Sequence, residues 1–229
     1  MAESSLYYIT DRRSFPGGEL TRQRLLLDKI AEATANNIDY IQLREKDLST
    51  RDLESLAREA MAIIRKLRAE NRELKTALLI NSRTDVALAA GADGVHLPAS
   101  DVLPAEVRAA WKRVPRACGV GTLAREISPQ NPLIAVSCHS PQEVIQSAAN
   151  QASFAVFAPV FEKQDAPDTT PKGLDALHHA CRANIPVLAL GGVTLQNAKS
   201  CLQAGAAGIA AIRLFQENDI ATIVQDLRA

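Results

Sequence analysis

Gln42, Arg44 and Lys46 are spaced by two in the run Gln42-Leu43-Arg44-Glu45-Lys46-Asp47, directly after the apolar Tyr40-Ile41. Alternate residues of an extended segment share a face, so all three project to one side. A guanidinium offers phosphate oxygens a planar fork and an ammonium a compact charge, a pairing suited to a polyanion whose charge grows as it departs. The plain structural alternative is a charged strand end neutralised by Glu45 and Asp47. A second anion signal is Leu190-Gly191-Gly192-Val193-Thr194, where two residues without a Cβ leave backbone N–H groups bare ahead of a helix. A side chain at Gly192 would obstruct such an anion. Further polar groups stand at Asn81, Asp101, Ser137, His139 and Arg213. His139 has a side chain that titrates near neutral pH and could act as a base, whereas His96, inside an apolar run, reads as a core histidine.

These residues need a frame that brings them together. Short apolar, β-branched runs recur at Leu6-Thr10, Tyr40-Leu43, Ala77-Ile80, Gly94-Leu97, Ile134-Cys138, Phe154-Ala158, Val187-Leu190 and Gly208-Ile212. They are continuous rather than alternating, as strands covered on both faces should be. Between them lie segments of helical spacing: Thr21-Ala35, Arg51-Arg68, Arg83-Ala90, Pro104-Lys112, Pro141-Ala149, Leu174-Ala183, Leu195-Ala204 and Asn218-Leu227. In Arg51-Arg68 the residues Leu53, Leu56, Ala60, Ile63, Ile64 and Leu67 make one apolar stripe, with Ser49 and Thr50 able to cap its start.

Strand and helix thus alternate eight times with no linker, which predicts an α/β fold, a single (β/α)8 TIM barrel over residues 1–229. An open doubly wound sheet is the competing architecture, but it wants a glycine-rich turn after the first strand, where Asp11-Arg12-Arg13 stands. In a barrel the strands' carboxyl ends and the loops that follow them surround one mouth, and phosphate sites form between the loops after strands seven and eight. The polar groups named above fall at those ends.

The 26 basic and 26 acidic residues cancel, and aromatic residues make up 4% of the chain. Neither a basic field nor a stacking surface is available, so nucleic acid and anionic membranes are not expected partners. No apolar run reaches the length of a spanning helix and the first residues lack a signal-peptide pattern, so a cytoplasmic protein is expected. Cys118, Cys138, Cys181 and Cys201 show no paired spacing and read as reduced, mostly buried thiols.

With these pieces in order, the chain resembles the thiamine phosphate synthase family, which also contains thiazole tautomerases. The resemblance rests on Tyr8-Ile9-Thr10-Asp11, Gln42-Leu43-Arg44-Glu45-Lys46, Ile80-Asn81, Gly91-Ala92-Asp93-Gly94-Val95-His96-Leu97, Ser137-Cys138-His139-Ser140, Pro159-Val160-Phe161 and Gly191-Gly192-Val193, over nearly the whole length. It implies a (β/α)8 barrel that joins a hydroxymethylpyrimidine pyrophosphate to a thiazole phosphate and releases pyrophosphate with the help of magnesium. Arg44, Lys46, Ser137 and His139 become the catalytic candidates. Gln42 and Asn81 fall to the pyrimidine substrate, Gly191, Gly192 and Arg213 to the thiazole phosphate, and Asp101 to Mg²⁺.

The chain departs from the family's pattern at three places. Ser82 stands where a second acidic metal ligand is usual, Pro98-Ala99-Ser100 replaces a Gly-Gln-acidic stretch, and Glu162-Lys163-Gln164-Asp165-Ala166 replaces Thr-x-Thr-Lys. Lys163 and Thr169, with Thr170 and Lys172, are the replacements that the following Pro-rich loop supplies. The small phosphorylated pyrimidine and thiazole are the expected partners, and a homo-oligomer is compatible with this reading. The alternatives are a tautomerase with His139 as its base and a regulatory barrel that binds phosphate without turnover. A Schiff-base aldolase would want a lysine on an inner strand, and no strand carries one.

Overall fold

Hydrophobic runs that are too short for helices and too continuous for a half-exposed sheet fold here as eight parallel strands. A computed structural model describes residues 4–113, 131–162 and 169–228. The strands are β1 (Ser5–Ile9), β2 (Tyr40–Leu43), β3 (Ala77–Asn81), β4 (Gly94–Leu97), β5 (Leu133–Cys138), β6 (Phe154–Phe157), β7 (Val187–Ala189) and β8 (Gly208–Ala211). Each pairs with its successor, and β8 returns to β1 with Leu6 opposite Ile209 and Tyr8 opposite Ala211. That last pairing closes the (β/α)8 barrel and excludes the open sheet.

Helices α1 (Glu19–Ala35), α2 (Thr50–Glu70), α3 (Thr84–Ala90), α4 (Pro104–Arg113), α5 (Pro141–Ala149), α6 (Gly173–Ala180) and α7 (Leu195–Gln203) fill the connections, and α8 (Arg213–Gln216) and α9 (Ile220–Arg228) follow β8. Local chemistry starts several of them. Ser49 accepts the Asp52 N–H at the head of α2, Ser140 accepts that of Glu143 before Pro141 of α5, and Thr194 and Asn197 form a reciprocal capping box on α7. The stripe expected on α2 is buried at Leu53, Leu56, Ala60 and Ile64. The sequence predicts one helix after β8 and no structure after β1. The structure adds α8 and a 3-10 turn at Arg12–Ser14, both held by side-chain bonds to distant residues.

Strand alternation divides the core in two. Leu6, Tyr8, Ile41, Leu43 and Ile80 face the helices, whereas Tyr7, Ile9, Leu79, Ala135, Val156 and Leu188 fill the barrel interior. Tyr40 stacks on Phe154 at 4.6 Å, and Tyr7 meets Phe154 edge-on at 5.6 Å, making an aromatic floor. One layer nearer the mouth the inward side chains turn polar: Gln42 on β2, Asn81 on β3, His96 on β4 and Ser137 on β5. Cys138 and Cys201 are buried, Cys181 is half-buried, and burial pushes all three thiols up to about 11; Cys118 lies outside the described residues. Among the described residues, no helix is long and apolar enough to cross a membrane.

Two strand glycines permit the closure. A Cβ on Gly208 would lie 1.9 Å from the Ser5 carbonyl oxygen, and one on Gly94 would lie 1.8 Å from that of Leu133. Both collisions are with backbone, which cannot step aside. Gly208→Ala should therefore cost at least about 3 kcal/mol, beyond the usual range of overpacking. Gly18→Ala, with open space around it, should stay within about 1 kcal/mol. Urea denaturation followed by circular dichroism checks the pair.

Candidate active site

At the exit of β1 the Arg12 side chain is almost wholly buried, and three carboxylates surround it. Its guanidinium donates to Asp47 through both terminal nitrogens, at 2.7 and 2.9 Å, to Glu45 at 3.1 Å and to Glu19 at 2.7 Å. Glu45 also accepts the Arg12 backbone N–H and, at 2.6 Å, the Thr10 hydroxyl, which itself accepts the N–H of Arg44. The carboxylates hold the Arg12 charge firmly, and Arg12 in turn keeps Asp47 and Glu19 below the usual carboxylate range.

This cluster decides between the two readings of the β2 exit. Glu45 and Asp47 are committed to Arg12, and among the described residues no carboxylate pairs with Arg44 or Lys46. Extended alternation ends at Leu43, so Gln42 points into the barrel, Arg44 is half-buried and Lys46 is exposed at the rim. Arg44 and Lys46 share one cleft of about 430 Å³ with Asp11, Arg13, Ser14, Glu45 and Asp47. The Arg44 charge, aided by partial burial, holds the Lys46 ammonium below its ordinary value. Carboxylates line the cleft, but none of the described ones is paired with Arg44 or Lys46, so an anion that meets both cations relieves their repulsion.

Inside the mouth, the Gln42 amide donates to the Asn81 side-chain oxygen at 2.8 Å, and Asn81 donates to the Ser82 hydroxyl at 3.2 Å. Ser82 holds a left-handed φ of +59° and gives its N–H to the His96 carbonyl. The His96 ring lies 2.7 Å from the Ser137 hydroxyl and 3.0 Å from that of Tyr7. His96 is thus buried, as its apolar setting suggested, yet it is wired to a candidate site residue. Ser137 and Asp101 line one smaller cavity of about 50 Å³. His139 is exposed at the end of β5 and its Nδ1 donates to the Ala158 carbonyl at 2.8 Å, so its Nε2 carries the free lone pair.

On the far side, Gly191 and Gly192 adopt φ of +97° and +63° after β7, and Asn197 Nδ2 donates to the Gly192 carbonyl. Among the described residues, no acceptor takes the N–H groups of Gly191, Gly192 or Val193. The requirement for glycine at 192 has a cause the sequence does not reveal: a Cβ there would lie 2.3 Å from the Glu162 carbonyl oxygen. A substitution at Gly192 therefore strains the backbone before it meets any anion, and it cannot report on phosphate binding. Arg213 is exposed at the start of α8, and Thr169 is exposed in the β6–α6 connection. Lys163 lies outside the described residues.

The donor set does not make a ready Mg²⁺ site. Asp101 is exposed and one of its oxygens already accepts the Val102 N–H. The Ser82 oxygen accepts from Asn81, and among the described residues no three His, Cys, Asp or Glu side chains gather within reach of one ion. A hard cation that seeks one or two carboxylates and several further oxygens finds one carboxylate here.

The thiamine monophosphate synthase family model matches residues 6–121 and 120–215. The chain belongs to that family. A thiamine-phosphate synthase of Clostridium novyi is 35% identical over 93% of this chain and 91% of its own, and one of Methanoculleus marisnigri is 34% identical over 97% and 93%. Among solved structures, thiamine phosphate pyrophosphorylase from Pyrococcus furiosus superposes with a TM-score of 0.71 at 27% identity, covering 98% of this chain and 93% of that one. A 3-hexulose-6-phosphate synthase, at 17% identity and a TM-score of 0.58, shares the barrel alone. As a member of the thiamine monophosphate synthase family the protein is an enzyme, a transferase of thiamine biosynthesis. Sequence reasoning about this family site missed Arg12, Arg13, Tyr7 and the link from His96 to Ser137. Arg12 and Arg13 adjoin the quoted Tyr8–Asp11 run, and an arginine beside a strand exit was the available signal.

His96 also couples the site to pH. Burial, and after it the Arg44 charge, pushes its pKa down from 6.5 to about 3. The unfolded chain then binds a proton between those values that the folded chain refuses, so the barrel loses stability as pH falls from about 6.5 toward 3. From pH 7 to pH 5 the loss should be about 2 kcal/mol, and His96→Gln should flatten the urea midpoint over that window.

Proposed function

We propose that this barrel couples a hydroxymethylpyrimidine pyrophosphate to a thiazole phosphate. The C–O bond to pyrophosphate breaks with its electron pair on the leaving oxygen, and the thiazole nitrogen supplies the pair for the new C–N bond. Arg44 and Lys46, assisted by Arg13 across the cleft, receive the departing pyrophosphate; the observation that carries this is that Arg12 has taken both carboxylates that would otherwise neutralise them. Gln42 and Asn81, fixed by their mutual hydrogen bond, orient the pyrimidine, and Ser137 contacts the pyrophosphate. Gly191, Gly192 and Arg213 hold the thiazole phosphate, with Lys163 and Thr169 as further substrate-binding candidates. The 229-residue chain acts as one catalytic barrel. Asp101 would touch a magnesium ion that arrives with pyrophosphate.

One observation favours the isomerase of the same family as a second reading. The Ala158 carbonyl fixes the His139 tautomer with a basic Nε2 at the mouth, the form a general base needs.

Variants separate the two. For coupling, Arg44→Ala and Lys46→Ala should each lower kcat about 10²–10³-fold, because each removes preorganised charge from the leaving group. His139→Ala should cost coupling less than about tenfold. In thiazole isomerisation the order reverses, since loss of a general base costs about 10²–10⁴-fold. Steady-state rates of wild type and the three variants, measured with both thiamine precursors and with the thiazole alone, decide the matter. A wild-type protein that isomerises the thiazole without coupling it would overturn the proposal.

A further inference from the structure

Tyr7, His96 and Ser137 form a hydrogen-bonded chain from the aromatic floor of the barrel to its mouth. Tyr7 is fully buried on β1, with its ring against Tyr40 and Phe154, and its hydroxyl lies 3.0 Å from His96 Nδ1. His96 Nε2 lies 2.7 Å from the Ser137 oxygen. Among the described residues, the Tyr7 hydroxyl has no other hydrogen-bond partner and neither does that of Ser137.

Donor counting sets the direction of the chain. If the imidazole gave an Nδ1 proton to Tyr7, the phenolic O–H would be buried with no acceptor, at a cost of about 1–3 kcal/mol. The phenol therefore donates to Nδ1. Burial keeps His96 neutral, and a neutral imidazole has one N–H, which must then sit on Nε2 and point at the Ser137 oxygen. With that oxygen already accepting, the serine hydrogen has no acceptor among the described residues, and Ser137 is only partly buried, so the hydrogen is left for a ligand. Reversing the chain would aim a lone pair at an incoming anion and repel it.

We propose that Tyr7 and His96 are positioning residues that lock Ser137 as a hydrogen-bond donor to an oxygen of the bound pyrophosphate. This rests on the reading that the mouth holds a pyrophosphate. The lock works at a distance: a phenol on the floor of the barrel, which touches no substrate, dictates which way a serine at the mouth donates.

The tautomer can be read without any activity. In ¹⁵N-labelled wild-type protein at pH 7, couplings from the His96 ring protons should show hydrogen on Nε2 and none on Nδ1; hydrogen on Nδ1 overturns the proposal. Calorimetry with inorganic pyrophosphate reads the consequence. Ser137→Ala should weaken binding roughly 10- to 100-fold, the worth of a hydrogen bond to a charged group. Tyr7→Phe, which removes one oxygen from the floor, should weaken it about 3- to 10-fold and shift hydrogen toward Nδ1. In the Ser137→Ala background, Tyr7→Phe should have no further effect on binding, because the group it orients is gone. An equal loss in both backgrounds would mean that Tyr7 acts only through general packing, and would refute the positioning role. If the wild-type protein shows hydrogen on Nε2 yet does not bind pyrophosphate, the tautomer stands while both the ligand assignment and the Ser137 role fall.

Discussion

The buried guanidinium of Arg12 is the interaction on which the mouth of this barrel depends. It ties the β1 exit to the β2 exit through Glu45 and Asp47 and reaches α1 through Glu19. Buried ion pairs rarely add net stability, because desolvation offsets the attraction, but removing one partner strands the other at several kcal/mol. The cluster therefore acts mainly as a device of arrangement. By absorbing the carboxylates beside them in sequence, Arg12 leaves the half-buried Arg44 and the exposed Lys46 as like-charged neighbours. Thr10 adds to the arrangement, since its hydroxyl donates to Glu45 and accepts from the Arg44 N–H.

The interior is built in layers that divide stability from chemistry. Tyr7, Tyr40 and Phe154 close the lower part, where aromatic and aliphatic contact excludes water. The next inward positions of β2 to β5 are Gln42, Asn81, His96 and Ser137, and each has a side-chain hydrogen bond to another inward residue. Polar groups at that depth are tolerable because they are paired, and pairing also fixes their orientation. The two layers meet at the Tyr7 hydroxyl, the one polar atom its aromatic ring carries into the floor.

The opposite rim is built from backbone. Gly191 and Gly192 take positive φ values, and the close approach of the Glu162 carbonyl leaves no space for a Cβ at 192. The same glycine that would let an anion reach bare N–H groups thus also lets the β6 and β7 exits pack together. The metal side is thin by comparison: Ser82 and an exposed Asp101 provide one carboxylate.

Much of this was legible in the sequence. Continuous apolar runs alternating with amphipathic stretches specify strands buried on both faces, and eight such repeats specify a barrel whose strand ends share one mouth. That reasoning is local, and it placed Gln42, Asn81, Ser137, His139 and the glycine pair at strand exits. It could not say that Glu45 and Asp47 belong to Arg12 rather than to Arg44 and Lys46, because period-two spacing stops informing once the strand ends at Leu43. Nor could it join Tyr7 to His96, 89 residues apart and meeting across the barrel interior, or His96 to Ser137, 41 residues apart on the paired strands β4 and β5. Spacing along the chain fixes which face a residue takes. Which partner it finds there depends on the register between strands and the diameter of the barrel, and these exist only once the eighth strand has paired with the first.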